Sequence, residues 1–416
     1  MKSGKESSMA TVKEQFLPAI LVWVVTCAWI VPCADGSGFG IFTQGAAALG
    51  QANSVVAHVE GPSALFFNPA LMHQLPGTQL EIGTTLIFPN REFTHPNGGS
   101  TSTKDVVFYP STFYLTHTFN SSIGAGLAVF NPFGLSTDWG GEWAGRYLAT
   151  RSEIQSYNIN PAVSYKVLPN LSIAAGLDVI LLDATLESKI PSTAIGIPGP
   201  PFDVAQKFTG SGNGIGYNVG MLWNITDDLS LGASYRSDVK IDIDGDFTVD
   251  ISPQKTAGTT SLTLPQQVFA GVSYRLSERF AMEAGMRWED WASFSQLRIN
   301  IPGVATVVYP REWRSTFAVN GGGKYKLSDR YSVSGGYLYG WNPVPDATFE
   351  PAIPDSNTHL FCVGGEAQVK KLKISLGYGY QLQEERTKTT NRYGSDANGR
   401  YNSSLHLLGI SANWKF

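Results

Sequence analysis

The side chains that most often perform catalysis occur in this chain, but their spacing matches no catalytic or metal-binding motif. The sequence contains neither a His-Glu-x-x-His zinc motif nor a Gly-x-Ser-x-Gly nucleophile elbow. The run Gly212–Gly216 loosely resembles a phosphate-binding loop, but it lies in a strand-like stretch that no helix follows. The histidines are scattered, at positions 58, 73, 95, 117, 359 and 406. We therefore predict no catalytic residue, no metal site and no cofactor.

Several basic side chains could instead bind the carboxylate of an acidic ligand. They fall on or near the polar faces of predicted strands: Lys166, Arg236, Arg275, Arg287 and Lys373. Charged side chains inside a protein usually pair with one another, and Asp178 and Glu283 are candidate partners. The sequence does not select one of the five as a ligand-binding cation.

The composition narrows the class of protein. The chain has 416 residues and a net charge of −4, with 43% hydrophobic and only 15% charged residues. Soluble domains usually contain about 25% charged residues. A nucleic-acid-binding protein would carry a basic stripe, which a near-neutral chain does not favour. The composition therefore argues against a nucleic-acid-binding protein, and its charge content is low for a soluble domain.

After residue 77 the chain consists mostly of segments in which apolar and polar residues alternate. A period of two is typical of β-strands, and segments of nine or more residues match a tilted strand that crosses a membrane. In the last segment, residues 408, 410, 412, 414 and 416 are mainly apolar and the residues between them mainly polar, and the chain ends on Phe416. An aromatic residue at the end of such a strand is typical of a membrane β-barrel. The other clear examples are 171–179, 229–236, 280–289 and 372–381.

Short turns and longer loops separate these segments. Six short polar turns fall within 119–122, 165–173, 223–231, 274–282, 325–333 and 370–371. Seven polar gaps rich in proline and glycine fall at approximately 89–104, 131–146, 189–209, 242–260, 301–312, 342–356 and 386–401. This alternation predicts fourteen strands over residues 78–416, with short turns on one side and long loops on the other, as in bacterial barrels.

The N-terminal region differs from the rest. Lysines precede an apolar stretch at 16–31, and small residues follow at Cys33 and Ala34, which predicts a signal peptide over residues 1–34. The alternative is a membrane anchor, for which the stretch is short. Residues 35–77 do not alternate, and the runs 45–50 and 62–72 favour short helices and tight turns. Such a segment could form a soluble cap or a plug inside the lumen.

Four groups of residues resemble the FadL family, outer-membrane transporters of long-chain fatty acids and other hydrophobic compounds, including aromatic hydrocarbons. They are Gln44–Ala52 with the later Asn68-Pro69-Ala70, the run Asn131–Tyr147, the run Arg287–Phe294, and the terminal Phe416. The resemblance implies an all-β fold, a 14-stranded antiparallel transmembrane β-barrel. A small N-terminal helical hatch (35–77) would plug the lumen of the barrel (78–416).

The resemblance also implies a function. Hydrophobic small molecules, fatty acids or aromatic hydrocarbons, would pass by ligand-gated passive diffusion and leave sideways into the membrane. This route is physically reasonable because a hydrophobic solute partitions into acyl chains far better than into a watery pore. The protein would be a monomer in the bacterial outer membrane, in contact with its lipid and lipopolysaccharide.

In the family, an inward kink of the third strand opens the wall. The matching residues here are Asn131, Pro132, Phe133 and Gly134. Pro132 cannot donate a ladder hydrogen bond, and Gly134 tolerates unusual backbone angles. The alternative is that these residues only begin a loop.

Two further sets of residues are predicted to act in the hatch. Asn68, Pro69 and Ala70 form a helix start, with Asn68 as the cap and Pro69 at the first position, and the resemblance adds hydrogen bonds that hold the hatch to the wall. Apolar residues in the same segment either line a ligand pocket or only pack the hatch on the wall: Phe39, Phe42, Leu65, Phe66 and Phe67. The apolar loop runs 195–202 and 247–251 would form an outer capture groove.

Two other functions remain open. A general diffusion porin would lack a folded N-terminal plug. An outer-membrane barrel enzyme of the lipase type would need a nucleophile that no motif of this chain supplies. The sequence does not distinguish a fatty acid from an aromatic hydrocarbon, because both need an apolar pocket.

Overall fold

The alternating segments form one continuous sheet in the computed structural model, which describes residues 38–303, 305–390 and 395–416. The predicted signal peptide, residues 1–34, lies outside the described residues. The strand segments, in chain order, are β1 (Thr78–Thr94), β2 (Ser100–Ser102), β3 (Ser111–Thr118), β4 (Ile123–Phe130), β5 (Gly134–Asp138), β6 (Arg151–Leu168), β7 (Leu171–Pro191), β8 (Asp203–Asn224), β9 (Leu229–Arg236), β10 (Val239–Val249), β11 (Ser252–Leu264), β12 (Gln267–Arg275), β13 (Phe280–Glu289), β14 (Gln296–Ile301), β15 (Ala305–Pro310), β16 (Thr316–Lys326), β17 (Tyr331–Gly340), β18 (Thr358–Val369), β19 (Leu372–Lys388) and β20 (Gly399–Lys415).

Five pairs of consecutive segments each make one interrupted strand of the barrel. β4 and β5 both pair with β6, and β9 and β10 both pair with β8. The other three pairs follow from the neighbouring interrupted strands: β11 and β12 pair with β10 and β9, β14 and β13 with β11 and β12, and β15 and β16 with β14 and β13. β2 is a short addition to β1. The barrel therefore has fourteen antiparallel strands, as the sequence predicts.

The first and last strands close the barrel. β1 pairs with β20 from Gln79↔Lys415 to Thr94↔Arg400, and the backbone N–H of Phe416 donates to the Thr78 carbonyl at 3.0 Å. The predicted faces of β20 are confirmed, because Ile410 is 48% exposed whereas Ser411 is 4% exposed. Closure leaves no unpaired sheet edge, which a membrane-spanning sheet requires.

The two ends of the barrel differ as predicted. At the turn end, connections are as short as the two residues between β18 and β19; the loop end carries the longer connections. Several of the predicted loops are shorter than expected, because the strands continue beyond the alternating core. β7 extends to Pro191, and β10 and β11 form a hairpin that pairs up to Val249↔Ser252. Phe247 therefore pairs within a strand instead of lying in a loop.

Residues 38–77, which we call the hatch segment, precede β1 and lie against the inner face of the barrel. They form the short helices predicted for this region: α1 (Ala46–Leu49), α2 (Ala64–Phe67) and a 3-10 helix (Pro69–Gln74). The hatch backbone is so close to the wall that a Cβ at Gly232 would overlap the Val56 carbonyl oxygen. No helix among the described residues has the length and apolar character needed to cross a membrane.

Candidate functional site

The third strand of the barrel is interrupted between β4 and β5, at residues 131–133. From Phe130 to Gly134 the chain has three intervening residues, whereas β6 has only two between their partners Asn158 and Gln155. One extra residue on one strand is the definition of a bulge, which bends the strand and unpairs it locally. Pro132 supplies no N–H at this point. The four residues predicted as a kink therefore lie at an irregular part of the wall.

Asn131 connects three parts of the molecule at this interruption. Its side-chain amide donates to the Ser156 carbonyl at 2.6 Å, and its Oδ1 accepts from the Ser111 N–H at 3.1 Å. Its backbone carbonyl accepts from the side chain of Gln44, in the hatch segment, at 2.7 Å. Asn131 is 6% exposed, so these bonds are shielded from water and each is costly to leave unmade.

The start of the hatch segment pairs with the interrupted strand. The Ile41 N–H donates to the Pro132 carbonyl at 2.8 Å, and the Gly134 N–H donates to the Phe39 carbonyl at 2.9 Å. The approach is close, because a Cβ at Gly134 would lie 2.6 Å from Cδ1 of Ile41 and would require the end of that side chain to shift. The hatch segment therefore covers the inner side of the interruption with its own backbone.

Phe39 inserts into a cluster of aromatic rings at this point. Its ring centroid lies 4.6 Å from that of Trp291 and about 6 Å from three more, in edge-on or tilted geometries that aromatic pairs prefer. The Phe39 side chain is 3% exposed. We call the four rings around Phe39 the aromatic cage: Phe133, Trp291, Phe294 and Trp313.

The other four predicted pocket residues lie in a separate cluster. Phe42, Leu65, Phe66 and Phe67 pack together with barrel residues such as Phe130 and Phe269. The guanidinium of Arg287 lies 3.3 Å from the centre of the Phe42 ring, a cation–π contact. The five residues predicted together are thus divided, with Phe39 near the interruption and the rest between hatch and wall.

The Asn68-Pro69-Ala70 motif has the geometry of a helix start that is also bonded to its surroundings. The Asn68 Oδ1 accepts from the Ala70 N–H at 3.1 Å, and Pro69 is the first residue of the 3-10 helix. The Asn68 amide donates to the carbonyls of Val56 and Met221, each at 2.9 Å. Met221 belongs to β8, so one bond from this fully buried side chain crosses from hatch to wall.

Four of the five basic residues considered for a ligand carboxylate have acidic partners in the protein. Arg236 pairs with Asp178, Arg287 with Glu289 at 2.9 Å, and Arg275 with Asp228 at 3.7 Å. Lys373 pairs with Glu366 at 3.2 Å. Since these charges are compensated within the protein, none is singled out as the partner of a ligand carboxylate.

One contact near the hatch start was not anticipated from the sequence. The Gly38 N–H donates to Oδ2 of Asp355, in the loop between β17 and β18, at 2.9 Å. The other oxygen of this carboxylate accepts from Gln383 at 2.9 Å and from the Ser356 N–H at 3.0 Å. Burial raises the pKa of Asp355 to about 7, although the hydrogen-bond donors and the nearby Arg386 and Arg91 oppose the shift.

Trp291 and Phe294 of the aromatic cage were within reach of sequence reasoning. Both belong to the run 287–294, which is part of the family resemblance. This run has no alternation of apolar and polar residues that would show whether each side chain points into the lumen or toward the lipid. The structure places Trp291 in a single 3-10 turn (Trp291–Ser293) that interrupts the strand between β13 and β14. Aromatic residues at an interruption of a barrel strand are the signal that would have identified them.

Comparisons with known proteins agree with this architecture. The family model described as "Outer membrane protein transport protein (OMPP1/FadL/TodX)" matches residues 25–416. A long-chain fatty acid transport protein of Escherichia coli O6:H1 is 24% identical over 436 residues, covering 94% of this chain and 97% of that protein.

Two solved structures have the same fold. A FadL homologue from Pseudomonas aeruginosa superposes with a TM-score of 0.83 at 21% identity, covering 91% of this chain and 100% of the other. The toluene transporter TodX of Pseudomonas putida superposes with a TM-score of 0.73 at 17% identity, covering 92% of this chain and 99% of the other.

Proposed function

The chain belongs to the OMPP1/FadL/TodX family of outer-membrane transport proteins, and we propose that it admits hydrophobic small molecules by ligand-gated diffusion with sideways exit into the membrane. Residues 35–77 act as the hatch and residues 78–416 as the barrel. The protein works as a monomer surrounded by outer-membrane lipid and lipopolysaccharide.

The observation that carries this proposal is the pairing of the hatch segment with the interrupted strand. Residues 39–41 occupy the inner side of the wall where the sheet is irregular, through the bonds to Pro132 and Gly134. When this short segment moves, the space that it leaves is continuous with the interruption. A solute that displaces the segment therefore reaches the interruption between β4 and β5. The acyl chains of the membrane lie on the other side of the wall at this point, and a hydrophobic solute partitions into them.

The aromatic cage supports an apolar cargo. The Phe39 side chain belongs to the protein itself, and four aromatic rings surround it. A molecule that binds in its place must therefore be apolar and preferably flat. Such a site suits a toluene-like ring and also an acyl chain. The relatives are named for both classes of cargo, a long-chain fatty acid transport protein and a toluene transporter.

The occupied lumen argues against an open diffusion pore. Three short helices and their connections cross the interior, and much of this segment is buried, including Leu49, Leu65 and Asn68. A porin needs a continuous water-filled channel, which buried hatch residues obstruct.

The proposal is tested by uptake of radiolabelled toluene and oleate into cells that lack their own hydrophobic transporter. Expression of this chain should increase uptake of at least one of the two and leave uptake of a sugar unchanged. An increase for the sugar alone would indicate a porin, and no increase for any of the three would refute transport. Mass spectrometry of protein purified from native membranes should identify an apolar ligand of the same class.

A further inference from the structure

A cluster of charged residues joins the hatch to the wall at the turn end of the lumen, away from the aromatic cage. Two belong to the hatch segment, and four project inward from β13, β16, β18 and β19. All are buried or largely buried, with side chains at most 20% exposed. We call this group the charge cluster: His58, Glu60, Glu283, Lys324, Glu366 and Lys373.

Glu283 binds the hatch backbone directly. Its two oxygens accept from the N–H groups of Val56 at 2.5 Å and Ala57 at 3.0 Å. The same carboxylate contacts Nδ1 of His58 at 2.6 Å. One wall residue thus holds three successive residues of the hatch, with charge-assisted bonds that are stronger than neutral ones.

Glu60 makes the reciprocal connection, from the hatch to the wall. Its carboxylate contacts Lys324 at 2.5 Å and Nε2 of His58 at 3.2 Å. Lys373 donates to the Glu60 backbone carbonyl, and both lysines also pair with Glu366. Each ion in the group therefore has at least two partners, which distinguishes a network from isolated pairs.

The charges in the cluster balance when His58 is protonated. Burial alone would lower the pKa of His58, but the carboxylates of Glu283 and Glu60 raise it to about 10. At neutral pH three cations therefore face three carboxylates. A balanced, fully bonded group is stable in a shielded site, whereas removal of one partner leaves an uncompensated buried charge.

The cluster lies across the barrel from the interruption between β4 and β5. Its wall residues belong to the ninth, tenth, twelfth and thirteenth of the fourteen strands, and the interruption is in the third. In a closed ring of fourteen, the tenth strand is opposite the third. Residues 39–41, by contrast, pair with the interruption through backbone hydrogen bonds, as between Ile41 and Pro132.

We infer that the charge cluster clamps the body of the hatch permanently to the far wall, so that only the segment before residue 45 moves during transport. The clamped body is a fixed floor that closes the axial route through the turn end. This inference deepens the proposed function, since a fixed floor directs an entering solute sideways. It assigns to the six residues a role in closing the channel to ions and water.

Ion conductance through single proteins in a planar bilayer tests the clamp. In the double variant Glu60→Gln, Glu283→Gln the hatch body loses both charged contacts, and we expect KCl conductance to rise by about tenfold or more because the remaining cations are uncompensated. The control Asp329→Asn removes an exposed carboxylate from the β16–β17 turn at the same end, and its conductance should equal that of the wild type. Equal conductance in the folded double variant and the control would overturn the inference.

Two additions keep the test decisive. If the double variant does not fold, as judged by heat-modifiable electrophoretic mobility, the single variant Glu60→Gln decides by the same criterion. Adding Lys324→Gln to Glu60→Gln removes a cation with its partner and should lower the conductance again; failure to do so would count against charge balance as the cause. Hydrophobic uptake is measured in parallel, because a wild type that takes up no hydrophobic solute would refute the transport proposal while leaving the conductance result intact.

Discussion

The backbone N–H of Gly38 donates to the carboxylate of Asp355 at 2.9 Å, which ties the start of the hatch segment to the loop between β17 and β18. The loop is itself fixed, since Arg386 donates to the Asp355 backbone carbonyl at 2.9 Å and lies 4.4 Å from the ring centre of Phe349. Movement of the hatch start therefore requires this bond to break. Asp355 thus connects the start of the hatch segment to the loop end of the barrel.

The stability of the buried surroundings of Asp355 should depend on pH, because burial disfavours its ionised form, although the bond from Gly38 favours that form. The pKa of Asp355 in the folded protein, about 7, lies above the ordinary value of 3.8. Its contribution to stability is therefore fully present below pH 3.8 and is lost as the pH rises through 7. Hydrogen exchange of residues 345–357, corrected for intrinsic rates, should accelerate as the pH rises from about 4 to about 7 and level off above that range. Asp355→Asn should abolish this pH dependence, and an unchanged pH profile in the variant would contradict the assignment.

Phe39→Ala should open a site in the aromatic cage. Removing a buried phenylalanine ring costs about 3–5 kcal/mol where the surroundings cannot collapse, and apolar cavities of this kind bind small aromatic molecules. We expect the variant to bind toluene more tightly than the wild type, as measured by a change in tryptophan fluorescence, because Trp291 and Trp313 line the cage. Phe119→Ala, at a ring that is 63% exposed in a short turn, is the matched control. Equal toluene affinity in both variants would show that Phe39 does not occupy a ligand-sized space.

The barrel was predictable from the sequence because the patterns that specify its strands and turns lie in neighbouring residues of the chain. A lipid-facing and a lumen-facing residue must alternate along every strand, and the turns between Tyr165 and Ile173 or Tyr325 and Val333 repeat the same residue types. The interruptions between β9 and β10 and between β15 and β16 were not predicted. They lie in the loop-end half of the wall, where strands extend beyond the membrane-length core and alternation weakens.

Asn68 should be separable into two roles by substitution. Asn68→Ser keeps an oxygen that can cap the 3-10 helix but loses the amide bonds to Val56 and Met221, whereas Asn68→Ala loses both. The cap alone is worth about 1 kcal/mol. If the bond to Met221 holds the hatch to the wall, both variants should show faster hydrogen exchange in residues 64–74, with Ala the more affected. Protection in Asn68→Ser equal to the wild type would reduce the motif to a helix cap.

The contacts of the hatch could not be derived from the sequence because they join residues far apart in the chain. Glu283 is 225 positions from His58, and Asp355 is 317 from Gly38. No periodicity relates such residues, and a carboxylate on a lumen face is equally compatible with an ion pair between strands. The same limit explains why Phe39 and Phe42, three residues apart, were assigned to one pocket although they lie in different clusters.

The most direct test of sideways exit is uptake by a variant in which the third strand is regular. Deleting Pro132 leaves two residues between Phe130 and Gly134, matching Ser156 and Tyr157 on β6, so that β4 can continue into β5 without the extra residue. Pro132→Ala, which keeps the extra residue, is the control and should transport normally. We predict that the folded deletion variant takes up radiolabelled toluene or oleate no faster than cells without the protein; uptake equal to the wild type would contradict exit through the wall.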